Sequence, residues 1–450
     1  MEPSTLKQTD AVDTTQRNGA SCQPTPQTAS RRESSAPPSA TGRVFRWEQR
    51  TMQRLLELVG NPPVTIRFWN GESIPTCDSP IACVLIQDRR TLWRLLLDPQ
   101  YQIGEAFTEG RLQVEGDLIG FLTSIDSDGE PGLQGRGWHQ RLLDWWHKPR
   151  GSSLKQSRDN IHTHYNLGND FYRLWLDEQM LYTCAYFPTP NTGLEEAQAA
   201  KMDHICRKLR LEPGEEVIEA GCGWGALALH MAKHYDVKVR AFNISSEQIK
   251  YSREQAEEIG IGDRVEFIED DWRNISGRCD KFVSVGMLEH VGLKNYSLLG
   301  RVIDRVLKPN GLGLIHSIGT NWPRPFDAWM ERRIFPGAYP PALREMMDIF
   351  EVADFSILDV ENIRLHYAQT IRHWYHRFEN SVEEVRNMFD DEFVRAWRLY
   401  LAGSVAAFES GRLQLFQVLF SHGSNNTVPR TRDYQYSRNE TSPADLFGAE

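Results

Sequence analysis

"EAGCGWGA", residues 219–226, sets three glycines and a closing Ala226 where the apolar run "EEVIEAG" gives way to the helically spaced run "GALALHMAKHY". Glycine is needed where a chain leaves a strand through a left-handed turn, and where the backbone must approach a ligand with no Cβ in the way. A strand, a glycine turn and a helix in that order open the ligand-binding half of an α/β sheet. The residues downstream of Leu209 repeat the rhythm: "VKVRAFNIS", "SEQIKYSREQAEEIG", "RVEFIEDD", "KFVSVGM", "NYSLLGRVIDRVLKPNG" and "GLGLIHSIG". Short β-branched runs alternating with longer amphipathic ones predict a doubly wound, mostly parallel sheet with helices on both faces. "LQLFQVLFS" at 413–421 is expected to return as the last strand.

Upstream the composition changes. Residues 1–43 are rich in Ser, Thr, Gln and Pro and poor in large apolar side chains, which predicts a disordered tail. Residues 44–134 carry "VTIRFW", "ACVLIQ" and the helix-like "TLWRLLLDPQYQIGEAFTEGRL", the pattern of a smaller α+β domain. A linker at 135–160 holds Arg136, Arg141, Lys148, Arg150, Lys155 and Arg158 against Asp144, with Trp138, Trp145 and Trp146 between them. Such a segment either lies on an anionic bilayer or packs its rings on a neighbouring domain. The α/β unit then occupies 161–425, and 426–450 form a C-terminal tail.

Composition narrows the function. The 450 residues are 40% hydrophobic and 25% charged, and the net charge of -10 argues against nucleic acid as a partner. The seven cysteines, at 22, 77, 83, 184, 206, 222 and 279, form no C-x-x-C pair, so no metal site and no dithiol is expected. Reduced thiols suit a cytoplasmic protein. No apolar run reaches the roughly 18 to 20 residues that span a bilayer, and the first residues lack a signal-peptide pattern. A cytoplasmic enzyme, at most peripheral on a membrane, is the expectation.

The glycine turn admits two cofactors. Gly221, Gly223 and Ala226 satisfy the dinucleotide pattern G-x-G-x-x-G/A, which belongs to nicotinamide-dependent oxidoreductases. That reading wants an acid about 20 positions on to hold the ribose hydroxyls. Asn243 stands there instead. Glu219 and the third glycine, Gly225, complete E/D-x-G-x-G-x-G, which resembles the S-adenosylmethionine loop of class I methyltransferases. Cys222 and Trp224 lie within that loop. In "EDDWRN", Asp270 or Asp271 would meet the adenine amino group and Trp272 would offer a stacking face.

Several longer motifs read together: "HTHYNLGNDFYRLWLDEQMLYTCAYFP", "GCGWGALALHMA", "VSVGMLEHVGLKNY", "HSIG", "WYHRF" and "LQLFQVLFS". From about Ile161 to about Gly423 the chain resembles cyclopropane-fatty-acyl-phospholipid synthases and the related mycolic acid methyltransferases. The resemblance implies methyl transfer from S-adenosylmethionine to a cis double bond in the acyl chains of membrane phospholipids, followed by proton loss and ring closure. It implies a homodimer, and a bound bicarbonate as the base. Carried over by position, the bicarbonate ligands fall on Cys184, Glu289, His316, the main chain of Ile318, and Tyr375. The cofactor residues fall on Tyr182, Thr183, Asn243, Ile244, Ser245, Gln248, Asp271, Trp272 and Arg273 beside the 219–225 loop. Asn243 replaces a frequent threonine, and Ser404 stands where relatives may carry a cysteine.

Cys184, set among aromatic residues in "MLYTCAYFP", is a nucleophile, a packed thiol or a wall of the anion pocket. A nucleophilic thiol wants a neighbouring base or cation, and none is adjacent in sequence. The expectation is a pocket wall that forms no bond to substrate. Three rival functions remain: a methyltransferase stopping at a methylene or methyl-branched chain, a nicotinamide-dependent oxidoreductase, against which Asn243 counts, and a catalytically dead lipid-binding module.

Overall fold

The computed structural model describes residues 42–58, 60–128 and 167–436. Nearly all of the predicted N-terminal tail, the basic tryptophan segment at 135–158 and most of the C-terminal tail lie outside these residues.

The first unit contains α1 (Arg46–Leu58), β1 (Val64–Arg67), β2 (Ser73–Pro75), β3 (Ala82–Ile86), α2 (Arg89–Leu97), α3 (Pro99–Thr108), β4 (Leu112–Gly116) and α4 (Leu118–Asp128). Its sheet has the order β2-β1-β3-β4, with β1 and β3 parallel. The helical stretch expected from Thr91 onward is broken at Asp98. Pro99 has no N–H and disfavours helical backbone in the residue before it. Asp98 therefore closes α2 with its own N–H on the Arg94 carbonyl and opens α3 by accepting from the Tyr101 N–H.

The second unit begins with α5 (Asn169–Arg173) and α6 (Leu194–Leu209), then alternates through β5 (Glu216–Ala220), α7 (Ala226–Tyr235), β6 (Lys238–Asn243), α8 (Ser246–Glu258), β7 (Val265–Glu269) and β8 (Cys279–Val285). It continues with α9 (Leu288–Val291), α10 (Tyr296–Val306), β9 (Leu307–Gly319), α11 (Ala328–Arg333), α12 (Leu343–Glu351) and β10 (Phe355–Asn362). The helices α13 (Arg364–Asn380), α14 (Val382–Met388) and α15 (Asp391–Glu409) precede β11 (Gln414–His422). The seven-stranded sheet has the order β10-β11-β9-β8-β5-β6-β7, and β11 alone runs antiparallel to its neighbours.

The doubly wound sheet is as the sequence predicts, and 413–421 does form a strand. It inserts between β9 and β10 rather than closing an edge. Eight of the nine β11 residues are buried, which explains its unbroken apolar run. "FSILDVEN" was not anticipated as a strand. It becomes β10 at the edge, where its acids Asp359 and Glu361 are half-buried and paired with Arg432 and Lys208.

One apolar cluster runs from Val64, Phe107 and Phe121 of the first unit into Trp175, Trp374 and Trp397 of the second. Arg333 makes two 2.9 Å contacts to the Glu105 carboxylate, and Arg412 meets Asp126 at 2.7 Å, across the same junction. The first unit thus packs on the helical cap that stands over the sheet.

Candidate active site

The glycine turn leaves the carboxyl end of β5, as an open α/β sheet requires of a ligand site. Gly221, Gly223 and Gly225 all have left-handed φ, at 83°, 53° and 86°. The Gly221 and Cys222 N–H groups donate to the Phe242 carbonyl at the end of β6, at 2.8 and 3.1 Å. A Cβ on Gly221 would lie 2.8 Å from Met287 Cβ, whereas one on Gly223 would enter open space. The turn is folded tightly beneath and left clear above.

The clear side is a cleft of about 1170 Å³, its open mouth included. Tyr182, Thr183, Glu219, Gly221, Cys222, Gly223, Trp224, Asn243, Ile244, Gln248, Asp271, Trp272 and Arg273 all line it. Gly225 and Ser245 do not. Each begins a helix instead: Gly225 caps α7, and the Ser245 hydroxyl accepts from the Gln248 N–H at the start of α8. Asn243 donates to the Gly223 carbonyl at 3.1 Å and to Gln248 Oε1 at 2.8 Å, so it ties the turn to α8 as well as facing the cleft. Asp271 caps a short turn and holds Arg273, whose guanidinium lies 4.5 Å from the Trp272 ring.

Glu219 Oε2 is buried with no partner among the described residues, and burial pushes the carboxyl up to about 8. An acid short of a donor, glycine backbone without side chains, and a distal Asp270–Asp271–Trp272 group suit an amine, a ribose and an adenine in that order. S-adenosylmethionine presents those groups. No pyrophosphate is needed to explain the turn.

The expected anion ligands come together in part. Glu289, in α9 just beyond β8, accepts the Ile318 N–H through Oε1 at 2.6 Å, and its Oε2 has no partner among the described residues. Burial pushes Glu289 up to about 7. His316, on β9, is 2% exposed and burial pushes it down to about 3, so its ring is neutral. Its Nδ1 lies 3.1 Å from Gln417 Nε2, and Gln417 is its cross-strand partner on β11. A Gln417 N–H donating there leaves the ring proton on Nε2. The Ile318 N–H is committed to Glu289, so of its main-chain groups the carbonyl is the one that could meet an anion's hydroxyl.

Cys184 is fully buried, and burial raises its thiol far above the ordinary range. The thiol donates to the Ala185 carbonyl at 3.1 Å and lies 4.0 Å from the Ile363 carbonyl. The Ala185 N–H donates to Thr370 Oγ1 at 3.0 Å. These contacts stitch the 182–187 loop to one stripe of α13, formed by Ile363, Tyr367, Thr370 and Trp374.

Tyr375 is a correction. At 3.6 residues per turn it projects roughly 100° round the helix from that stripe. Its charged neighbours are Glu379, Arg398 and Asp117, and no hydrogen bond joins it to Cys184, Glu289 or His316 among the described residues. Tyr367, 8% exposed and packed against Trp374 and Phe408, is the tyrosine on the Cys184 side. Helical phase could have chosen between them once the loop was known to rest on α13.

Lys201 was missed. It is 1% exposed, lines the cleft, and donates from Nζ to Thr183 Oγ1 at 2.9 Å. Burial pushes it down to about 8. Its signal is a lysine inside the apolar stripe of α6, level with Ala197 and Ile205, where only a partnered cation belongs. His290, beside Glu289, also lines the cleft. Behind the cleft Tyr172, Trp175, Tyr182 and Trp374 pack ring to ring at centroid distances of 5.2 to 5.6 Å, and of the four Tyr182 lines the cleft. Among the described residues no group of three His, Cys, Asp or Glu could hold a metal ion.

Comparison with known proteins follows the same outline. The family model described as mycolic acid cyclopropane synthetase matches residues 152–418. A probable fatty acid methyltransferase of Pseudomonas putida is 34% identical over 389 residues, covering 83% of this chain and 96% of the relative. The cyclopropane-fatty-acyl-phospholipid synthase of Escherichia coli strain K12 is 40% identical over 264 residues, 58% of this chain and 68% of the relative. Among solved structures, the mycolic acid cyclopropane synthase CmaA1 complexed with SAH and CTAB superposes with a TM-score of 0.56 at 27% identity, over 58% of this chain and 97% of that one.

Proposed function

The chain belongs to the mycolic acid cyclopropane synthetase family, and from that premise we propose that it closes a cyclopropane ring on the cis double bond of unsaturated acyl chains carried by membrane phospholipids, with bicarbonate as base. It is an enzyme of S-adenosylmethionine-dependent one-carbon transfer to fatty acyl chains. The phospholipid form of the substrate, the ring and the bicarbonate are the proposal.

The observation that carries it is Glu289, buried beside the cofactor cleft with one oxygen anchored on Ile318 and the other unpartnered among the described residues. When bound, S-adenosylmethionine supplies an electrophilic methyl group. The olefin's π electrons would bond to that carbon as the sulfur–methyl bond breaks and S-adenosylhomocysteine leaves, with the positive charge left on the adjacent olefinic carbon. Ring closure then takes a C–H pair of the added methyl into a carbon–carbon bond and releases a proton. Glu289 as carboxylate can accept from the hydroxyl of a bicarbonate, and the His316 Nε2–H can donate to it. Tyr182, which lines the cleft and is backed by the buried rings of Tyr172, Trp175 and Trp374, can face the cation with π density that does not attack. A high-pKa, fully buried Cys184 supports a packing role over a nucleophilic one.

A second reading has one observation in its favour: the Pseudomonas putida relative, aligned along both units, is named a methyltransferase. A hydride shift before proton loss would give a methylene branch of the same mass as the ring. Incubation with isotope-labelled cofactor and monounsaturated phospholipid vesicles, followed by proton NMR of the released acyl chains, separates them. Upfield cyclopropyl protons are expected; vinylic methylene signals without them would replace the ring with the branch. Turnover that is unchanged in carbonate-free buffer would remove bicarbonate from the reading. A homodimer working at a bilayer surface belongs to the same proposal and rests on the family resemblance. Among the described residues no helix is long and apolar enough to cross a membrane.

A further inference from the structure

Phe45, Trp47, Trp93 and Leu97 are 47%, 46%, 44% and 74% exposed, an unusual amount of large apolar surface in one place. They are neighbours. The Trp47 ring lies 6.4 Å from Phe45 and 5.2 Å from Trp93, and Leu97 is one helical turn beyond Trp93 on α2.

Cations border the rings. Arg43, Arg46, Arg50 and Arg90 are all exposed, and none of them forms an ion pair among the described residues. Arg46 adjoins Trp47, Arg50 lies one turn along α1, and Arg90 lies one turn before Trp93. The acid nearest in sequence, Glu48, is fully buried and paired with Arg89 at 2.6 Å, so it does not offset this charge at the surface.

We propose that this face of α1 and α2 is where the enzyme docks on an anionic lipid bilayer, the tryptophans entering at headgroup depth and the arginines meeting lipid phosphates. Amphipathic rings beside cations suit that boundary, and a chain of net charge -10 would otherwise be repelled from it. A second copy of the chain fits less well, because a two-fold pairing would set Arg46, Arg50 and Arg90 against themselves. The proposal rests on the reading that the substrate is a bilayer phospholipid, and it locates the surface that brings the cleft to it.

The test uses the full chain and two variants, Trp47→Ser/Trp93→Ser and Arg46→Gln/Arg50→Gln/Arg90→Gln, in co-sedimentation with phosphatidylcholine vesicles with and without phosphatidylglycerol. The parent protein is expected to favour the anionic vesicles, less so as salt rises. The tryptophan variant is expected to bind both kinds about tenfold more weakly, and the arginine variant to lose the preference for phosphatidylglycerol. Both should keep parental turnover on monounsaturated phospholipid dispersed in detergent while losing it on vesicles. Parental vesicle binding by both variants would overturn the proposal, as would a change of oligomeric state with vesicle binding intact, which would make the face a subunit contact. If the parent protein turns over neither form of phospholipid, the substrate reading fails, and the sedimentation result still decides the docking face.

Discussion

Glu289 takes the Ile318 N–H on one carboxylate oxygen at 2.6 Å and leaves the other, equally buried, without a partner among the described residues. A carboxyl held this way is positioned for a ligand and is costly to ionise. Its folded-state value of about 7 stands above the usual 4.5, so the folded protein keeps a proton that the unfolded chain has lost between those values. Stability therefore falls as pH rises through that window, and the whole deficit, on the order of 3 kcal/mol, is present above it.

Glu289→Gln keeps an acceptor for Ile318 and removes the ionisation. Thermal melts should show the variant more stable than the parent at pH 8 and about equal at pH 4.5, with turnover down at least about a hundredfold. An identical shift in melting temperature at both pH values would mean that Glu289 does not titrate in this range.

Cys184 should behave as a core thiol. Cys184→Ala is expected to cost about 1 to 2 kcal/mol from the small cavity left behind, with turnover within about tenfold of the parent. Iodoacetamide should leave the native thiol unmodified, as followed by peptide mass spectrometry. Rapid alkylation at neutral pH would show a thiolate that this burial does not permit.

The two tyrosines of α13 should separate cleanly. Tyr375→Phe, beside Glu379 and Arg398, is expected to change turnover by less than about twofold. Tyr367→Phe, on the stripe that carries the Cys184 loop, should lower kcat by about tenfold or more while the KM for cofactor stays put. The reverse ranking in steady-state kinetics would restore Tyr375 to the site.

The glycine turn offers a split between folding and binding. Gly221→Ala meets both a left-handed φ and a Cβ contact of 2.8 Å with Met287, so it should destabilise the fold by about 2 kcal/mol or more. Gly223→Ala meets the left-handed φ alone and points into the cleft, so it should cost about 1 kcal/mol and weaken cofactor binding. Melting curves and calorimetric titration with S-adenosylmethionine report the two effects independently.

Gln417→Leu removes the partner of His316 Nδ1 within the sheet. Turnover should fall about tenfold with cofactor affinity unchanged, and the imidazole NMR signals should show mixed tautomers. A single unchanged tautomer would mean that the ring is oriented by its backbone position alone.

The alternation of strand and helix after Leu209 and the glycine turn at 219–226 were legible because they rest on local rules, side-chain periodicity and left-handed backbone, whereas the break at Asp98–Pro99 was passed over although the missing proline N–H marks it. Thirteen of the fifteen cofactor residues expected from the sequence line one cleft, since they sit at the same end of adjacent strands. The remaining two, Gly225 and Ser245, serve the helices that frame it. Lys201 was half legible, as a cation in an apolar stripe whose partner, Thr183, lies eighteen positions away.

By itself the amino-acid sequence determined the class of sheet and the place of the cofactor turn, both of which follow from contacts between near neighbours along the chain. Tertiary structure alone decided that Tyr367 and not Tyr375 turns toward Cys184, that Ile318 gives its N–H to Glu289, and that Gln417 meets His316 across the sheet. Those choices depend on the phase of one helix against a loop and on the register of one antiparallel strand. Both are settled by packing between segments far apart in sequence, where a rotation of 100° or a slip of one residue would present a different side chain.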